Sequence, residues 1–169
     1  MKKKLLSLLL VISFLLPTAQ AANAAAAPKV TGSCGIIMDA ATGEVLWQKN
    51  ADQVREVASM TKVMATYLVL DAVNQGRISL DTPVPISTYT YYFSRDSRYS
   101  NIPFEKNKVY TVADMVEAFM CYSACAAGPA LGELLYGSEQ AFVEAMNNRA
   151  TMMGINATFT ESYDSGRMS

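Results

Sequence analysis

Ser59 and Lys62 are two residues of this sequence that could act together as a nucleophile and its base, and they open an apolar segment. A spacing of three residues places both side chains on one face of a helix. The amino terminus of that helix would lie at the serine, where backbone N–H groups and the positive end of the helix dipole stabilise an oxyanion. A partly buried lysine with a lowered pKa could accept the serine proton near neutral pH. The same two residues also fit a serine that caps a helix and an exposed lysine.

The composition limits the other kinds of catalysis that the chain could perform. It contains no histidine, which excludes Ser-His-Asp and Cys-His nucleophilic machinery. Its three cysteines, Cys34, Cys121 and Cys125, allow at most one disulfide and are interpreted as small buried hydrophobes. A zinc site would need a fourth ligand, so the sequence predicts neither a metal nor a cofactor.

The amino-terminal residues have the layout of a secretory signal peptide. Three lysines at positions 2–4 precede an apolar run, Leu5 to Leu16, and the triplet Ala19-Gln20-Ala21 follows. We predict a signal peptide over 1–21, cleaved before Ala22, and a tether over 22–29. The alternative is a membrane anchor, but twelve helical residues reach only about 18 Å of the ~30 Å hydrocarbon layer. The sequence therefore predicts export to the cell envelope.

The charge balance argues against a nucleic-acid partner. The chain carries 14 basic and 15 acidic residues, and loss of three leader lysines would leave a net charge of about −4. A nucleic-acid partner would require a basic face. The length of 169 residues suits one sizeable core.

Hydrophobic periodicity and turn signals predict the elements that would carry the candidate residues. We expect a hairpin from strands at 35–39 and 44–49, a strand beginning at 157–160, and helices at 59–75, 111–122, 126–135 and 139–153. The first of these helices has an apolar set made of Val63, Met64, Tyr67, Leu68 and Leu70. Residues 87–101 have no consistent period and are predicted to be surface or the wall of a groove.

Two long runs of the chain resemble a known family. They are GIIMDAATGEVLWQKNADQVREVASMTKVMATYLVLD, which contains Ser59 and Lys62, and VYTVADMVEAFMCYSACAAGPALGELLYGSEQAFVEAMNNRATMMGINATFTESYDSG. Both resemble the penicillin-binding D-alanyl-D-alanine carboxypeptidases, low-molecular-weight members of the serine transpeptidase and β-lactamase superfamily. The resemblance covers nearly all of the chain after the leader except 87–101. It implies the α/β (α+β) transpeptidase-like fold, a helical cluster packed on an antiparallel sheet.

The family's first two motifs can be located by this resemblance. Ser-x-x-Lys is intact as Ser59-Met60-Thr61-Lys62, which implies that Ser59 and Lys62 are catalytic. The Ser-x-Asn element corresponds to Ser123-Ala124-Cys125, so Ser123 would relay a proton to the leaving amine. Cys125 stands at the asparagine position that binds substrate and the lysine. A thiol is a weak donor and a weak acceptor and cannot reproduce a two-ended amide.

The third motif, Lys-Thr-Gly, occurs nowhere in the 169 residues. By the resemblance, residues 30–169 would be an incomplete peptidase domain that lacks the later strands. We then expect an open sheet edge and an uncovered apolar face. We also expect this chain alone to be catalytically silent, because losing one of two oxyanion donors costs about 10²–10³ in rate.

The resemblance implies a serine D-Ala-D-Ala carboxypeptidase of the cell wall. Ser59 would attack the penultimate D-Ala carbonyl of a peptidoglycan stem peptide, and β-lactams would be covalent inhibitors. A missing carboxy-terminal region could associate with the membrane surface. One alternative is a non-catalytic exported protein that binds the wall or regulates its synthesis. A second is a class A β-lactamase, but the residues after Glu161 do not supply the Leu-Asn of its Glu-x-x-Leu-Asn element.

Overall fold

The computed structural model of the chain describes residues 27–164 and 166–168. The predicted signal peptide at 1–21, with most of the predicted tether at 22–29, lies outside these residues. Internal contacts divide the chain into two units, with the boundary between Lys49 and Asn50. All four candidate site residues belong to the second unit.

The first unit contains a β-hairpin whose turn is organised by Asp39. Strands β1 (Gly35–Met38) and β2 (Val45–Lys49) pair in antiparallel fashion. The Asp39 carboxylate accepts hydrogen bonds of 2.8 Å from both the backbone N–H and the hydroxyl of Thr42, and these bonds lower the pKa of Asp39. Gly43 completes the turn with a φ of 75°, a conformation that favours glycine. The predicted hairpin is confirmed.

The second unit combines helices with short antiparallel strands. Its helices are α1 (Thr61–Asn74), α2 (Thr88–Phe93), α3 (Val112–Cys121), α4 (Ala127–Tyr136) and α5 (Glu139–Met152). The strands β4 (Pro83–Val84) and β5 (Tyr110–Thr111) form one sheet, and a second sheet has the order β3 (Arg55–Glu56), β7 (Gly166–Met168), β6 (Ala157–Phe159). The four predicted helices and the strand after them are confirmed, with ends that differ by at most two residues.

Side chains cap two of the predicted helices. Thr111 and Asp114 form a capping box at the start of α3, in which each side chain accepts a hydrogen bond from the other's backbone N–H. Ser138 accepts from the N–H of Ala141 at 3.1 Å at the start of α5. These caps satisfy helix N–H groups that have no partner within the helix.

The core of the second unit lies where α1, α3, α4 and α5 meet. Its largest fully buried side chains include Phe104, Phe119, Leu131, Phe142 and Met146. Gly132 lets α4 approach α5 closely, because a Cβ there would lie 2.7 Å from the Phe142 ring. This packing gives the site a rigid base.

One face of α1 differs from the prediction. Met64 and Leu68 are buried, but Val63, Tyr67 and Leu70 are exposed by 59%, 41% and 45%. The last three follow helical spacing and form an apolar stripe open to solvent. The periodic signal combined two faces of an apolar helix, and only the face that carries Met64 packs into the core.

The segment 87–101 contains a helix that the sequence analysis missed. Ser87 caps α2 by accepting the N–H of Thr90 at 3.1 Å. Thr90 and Phe93 are the buried residues of this helix, and the half-buried Tyr91 also packs against the core. A helix this short shows too little periodicity to be detected.

The cysteines follow the prediction only in part. Cys125 is buried, Cys34 is half-buried and Cys121, at the carboxyl end of α3, is exposed; all three are free thiols. The interpretation of Cys121 as a buried residue is wrong, because α3 turns its last residue toward solvent and the chain leaves the helix before Cys125.

Candidate active site

Ser59 lies in a 3-10 turn, Ala58–Met60, that leads directly into α1. Ala58 has a φ of 47°, which is unusual for a residue with a Cβ and sharply redirects the chain before the serine. Ser59 is exposed. The α-helix therefore begins two residues later than predicted, yet the serine still stands at its amino terminus, where the helix dipole favours negative charge.

The Lys62 side chain is buried and points back to Ser59. It is 2% exposed, and its Nζ donates to the Ser59 Oγ at 3.0 Å. Nζ also donates to the carbonyl oxygen of Tyr163 at 2.6 Å and lies 5.5 Å from the centre of the Phe119 ring. The exposed-lysine alternative is therefore wrong, because the ammonium is enclosed and has defined partners.

Ser123 brings a second hydroxyl to Ser59 from the loop between α3 and α4. The two Oγ atoms are 3.0 Å apart. Ser123 has a left-handed φ of 56°. The backbone on its carboxyl side is held by two bonds, from Ala124 N–H to the Ala118 carbonyl at 3.0 Å and from Cys125 N–H to the Ser100 carbonyl at 2.8 Å. Backbone strain that is held in this way is common at functional sites.

Cys125 lies beside the lysine, at the position where the resemblance places an asparagine. Its Sγ is 3.6 Å from Lys62 Nζ and 3.5 Å from the Ser123 carbonyl, to which the thiol donates. Burial raises the pKa of the Cys125 thiol, and the nearby Lys62 charge partly opposes this. The thiol thus reaches both partners, but with weak hydrogen bonds in place of those of an amide.

The structure adds two groups that sequence reasoning missed, the Tyr163 carbonyl and the Asp164 carboxylate. An oxygen of Asp164 lies 3.5 Å from Ser59 Oγ, at the outer limit of a hydrogen bond. Glu161, the acid considered in the sequence, instead binds the Tyr163 hydroxyl. A backbone carbonyl has no sequence signature, and Asp164 becomes a neighbour of Ser59 only through folding.

An open cavity of about 620 Å³ borders the site. Tyr163 connects the two, since it lines the cavity and its carbonyl binds Lys62. Several other lining residues, including Tyr89, Tyr92 and Tyr99, belong to the 87–101 segment, as expected for the wall of a groove. A second cavity, of about 510 Å³, is lined by residues 83–88, 91–92 and 105–109 and contains none of the four site residues.

Within residues 27–164 and 166–168, no group of three or more Cys, Asp or Glu side chains is arranged to hold a metal ion. No helix there has the length and apolar character needed to cross a membrane.

The chain is similar to several known proteins. The family model described as D-alanyl-D-alanine carboxypeptidase matches residues 21–163. The carboxypeptidase DacF of Bacillus subtilis is 32% identical over 162 residues, which cover 92% of this chain and 41% of that protein. The carboxypeptidase DacC of Escherichia coli is 34% identical over 147 residues, which cover 85% of this chain and 37% of that protein. The chain thus spans about two-fifths of the length of these relatives.

A solved structure confirms the predicted transpeptidase-like α/β class. A peptidoglycan synthesis regulatory factor from Streptococcus pneumoniae superposes with a TM-score of 0.79 at 34% identity, covering 84% of this chain and 43% of the other. Penicillin-binding protein D2 of Listeria monocytogenes, in its cefotaxime-bound form, superposes with a TM-score of 0.69 at 26% identity over 83% of this chain and 59% of the other.

Proposed function

Because the chain belongs to the D-alanyl-D-alanine carboxypeptidase family, we propose that its protein removes the terminal D-alanine from peptidoglycan stem peptides by acyl transfer to Ser59. The observation that carries this proposal is the continuous line of contacts from Lys62 Nζ to Ser59 Oγ and on to Ser123 Oγ, each of 3.0 Å. A nucleophile, a base and a second proton carrier therefore meet at one point.

Acylation would proceed through these three side chains. In its neutral form the Lys62 amine accepts the Ser59 proton while Ser59 Oγ bonds to the carbonyl carbon of the penultimate D-Ala. The tetrahedral oxyanion collapses, the peptide C–N bond breaks, and the Ser123 hydroxyl passes a proton to the departing D-alanine amine. Lys62 returns a proton to Ser123. Water then attacks the ester, giving the shortened peptide and free Ser59.

Cys125 and Asp164 would act on the residues of this proton path, Cys125 beside Lys62 and Asp164 beside Ser59. The Cys125 thiol bridges Lys62 and the Ser123 carbonyl, so it helps to keep the base beside the relay. Asp164 places a negative charge 3.5 Å from the nucleophile. That charge favours a protonated neighbour and disfavours an oxyanion close to it, so the carbonyl of the substrate should bind away from Asp164.

β-Lactams would be covalent inhibitors of this site, because their strained amide is attacked by the same serine. Fluorescent penicillin should label the protein expressed from its complete coding region, and a Ser59→Ala variant should remain unlabelled while folded. Ser97→Ala, a change of an exposed serine, serves as the matched control and should label normally. Labelling that survives Ser59→Ala would overturn the assignment of the nucleophile.

Release of D-alanine from a diacetyl-Lys-D-Ala-D-Ala peptide tests the reaction itself. We expect release by the wild-type protein and a loss of about 10⁴-fold or more in Ser59→Ala, as in other sites that lose their nucleophile. A folded wild-type protein that binds peptidoglycan but neither releases D-alanine nor takes up penicillin would favour the non-catalytic, wall-binding alternative.

The site of action that we propose is the cell envelope, with residues 1–21 removed on export. The support is the charged, apolar and small-residue pattern of that segment. Amino-terminal sequencing of the exported protein should begin at Ala22. Recovery of residues 5–16 in a membrane-bound form would contradict cleavage.

A further inference from the structure

The shortest hydrogen bond of the Lys62 ammonium goes to the Tyr163 carbonyl, at 2.6 Å. We propose that Glu139 and Ser162 are positioning residues, which hold the segment 161–164 so that this carbonyl keeps Lys62 against Ser59. The proposal rests on the function proposed above. Neither residue needs to touch the substrate for this role, because both act through the position of the lysine.

Glu139 fixes Ser162 by accepting hydrogen bonds from both the backbone N–H and the hydroxyl of Ser162. One oxygen of the Glu139 carboxylate accepts the Ser162 hydroxyl at 3.1 Å and the Ser162 N–H at 3.3 Å. Ser162 is fully buried, so these donors would be costly to leave without a partner. Glu139 is the first residue of α5, which packs into the core, and it therefore ties the segment to a rigid element.

Gly128 permits the close packing that completes this attachment. A Cβ at Gly128 would lie 2.6 Å from Ser162 Oγ and 3.1 Å from the Phe119 ring. Phe119 is the ring beneath the Lys62 ammonium. The amino-terminal turn of α4 thus touches both the segment that binds the lysine and the ring beneath it, and no larger residue fits there without displacing one of them.

The Tyr163 ring anchors the next residue of the segment. It is 7% exposed and packs 5.0 Å from the Phe93 ring and 5.7 Å from the Tyr99 ring, measured between centroids. Ser162 and Tyr163 are therefore held on two sides, by a carboxylate and by an aromatic cluster. The direction of the Tyr163 carbonyl follows from these two attachments.

The surroundings of Glu139 make the attachment sensitive to pH. Burial raises the pKa of Glu139, the bonds from Ser162 lower it, and the acids Glu161 and Glu133 raise it further. Tyr89 and Tyr163 face the same group. A carboxylate is a stronger acceptor than a protonated carboxyl, so the hold on Ser162 weakens as pH falls through the raised pKa. Lys62 is then less well placed at acid pH.

Kinetics of four variants of the protein, expressed from its complete coding region, test the proposal. The rate of acylation by fluorescent penicillin should fall about 10–100-fold in Glu139→Ala and Ser162→Ala, since a displacement near 1 Å costs about 10² in rate. With the D-Ala-D-Ala peptide, kcat should fall while KM changes little. Glu139→Gln keeps an acceptor oxygen but no charge, like the protonated carboxyl, so its rate should lie between those of the wild type and Glu139→Ala. Glu144→Gln, an exposed change on α5, is the control.

The pH profile distinguishes positioning from a general loss of stability. The wild-type acylation rate should decline on the acid side at a pH above the usual range of a glutamate, and Glu139→Gln should lack this decline. Melting temperatures identify variants that fail to fold. If Glu139→Ala does not fold, the rates of Glu139→Gln and Ser162→Ala test the positioning role. Wild-type rates in Glu139→Ala and Ser162→Ala, or an acid decline retained in Glu139→Gln, would overturn the proposal.

A structural readout separates this proposal from the proposed function. If the wild-type protein is never labelled, the proposed function fails, and crystal structures of the wild type and Glu139→Ala decide on positioning. We expect the distance from Lys62 Nζ to Ser59 Oγ, 3.0 Å here, to exceed hydrogen-bond reach in Glu139→Ala. An unchanged distance would overturn the positioning role.

Discussion

Replacing Lys62 by methionine should slow acylation strongly with little effect on stability. Methionine keeps the unbranched apolar stem and removes the charge. The ammonium donates to two oxygens, those of Ser59 and Tyr163, and bonds from a charged donor contribute about 1.5–3 kcal/mol each, so about 3–6 kcal/mol is lost. Against this, the 2% exposed ammonium no longer has to be desolvated, which recovers several kcal/mol. The net change in the free energy of unfolding should stay within about 2 kcal/mol of zero.

The chemical effect of the same change is much larger. Loss of a general base costs about 10²–10⁴ in rate, or roughly 3–5.5 kcal/mol of transition-state stabilisation. The time course of labelling with fluorescent penicillin measures the acylation rate, and urea unfolding measures stability. Lys108→Met, which removes an exposed lysine paired with Glu105, should change neither. A Lys62→Met protein that acylates within about threefold of the wild-type rate, or that loses more than about 4 kcal/mol of stability, would refute the reasoning.

Two further predictions concern hydrogen bonds elsewhere in the unit. Cys125→Asn should raise the acylation rate by about 2–10-fold, because an amide replaces two weak sulfur contacts with one ordinary hydrogen bond or more. Cys121→Asn, at an exposed position, is the control. A lower rate in Cys125→Asn than in the wild type would contradict the prediction. Asp114→Ala should lower the Tm at pH 7 by breaking the capping box with Thr111. Hydrogen bonds from Thr111 lower the pKa of Asp114, so its stabilisation is present above about pH 4 and is lost as pH falls through the folded-state pKa. The difference in Tm between the wild type and Asp114→Ala should therefore be smaller near pH 2 than at pH 7. An equal difference at both pH values would contradict this prediction.

The sequence predicted the parts of the site whose residue types carry chemistry. Ser59 and Lys62 are three residues apart, so local helical geometry nearly determines their contact. Ser123 and Cys125 lie more than sixty residues away, and their placement beside Lys62 was available only through the family resemblance. The structure brings all four together, with distances of 3.0–3.6 Å between contacting atoms.

Other parts could not be read from the sequence for identifiable physical reasons. The Tyr163 carbonyl is a backbone group, and every residue has one. The hydrogen bond from Ser162 to Glu139 joins residues that are twenty-three positions apart, so it depends on tertiary packing. Periodicity also fails for α2, which is six residues long, and for α1, where apolar residues occur on both the buried and the exposed face.

The backbone conformation of Ser123 shows that this fold is not optimised for stability alone. Its backbone has a φ of 56°, a conformation that glycine adopts without a Cβ penalty and serine does not. Glycine at this position would relax the chain, but it has no hydroxyl to stand 3.0 Å from Ser59 Oγ. Under the proposed mechanism, a search for heat-resistant variants scored only by melting temperature would be drawn to glycine here and would discard a proton carrier of the site.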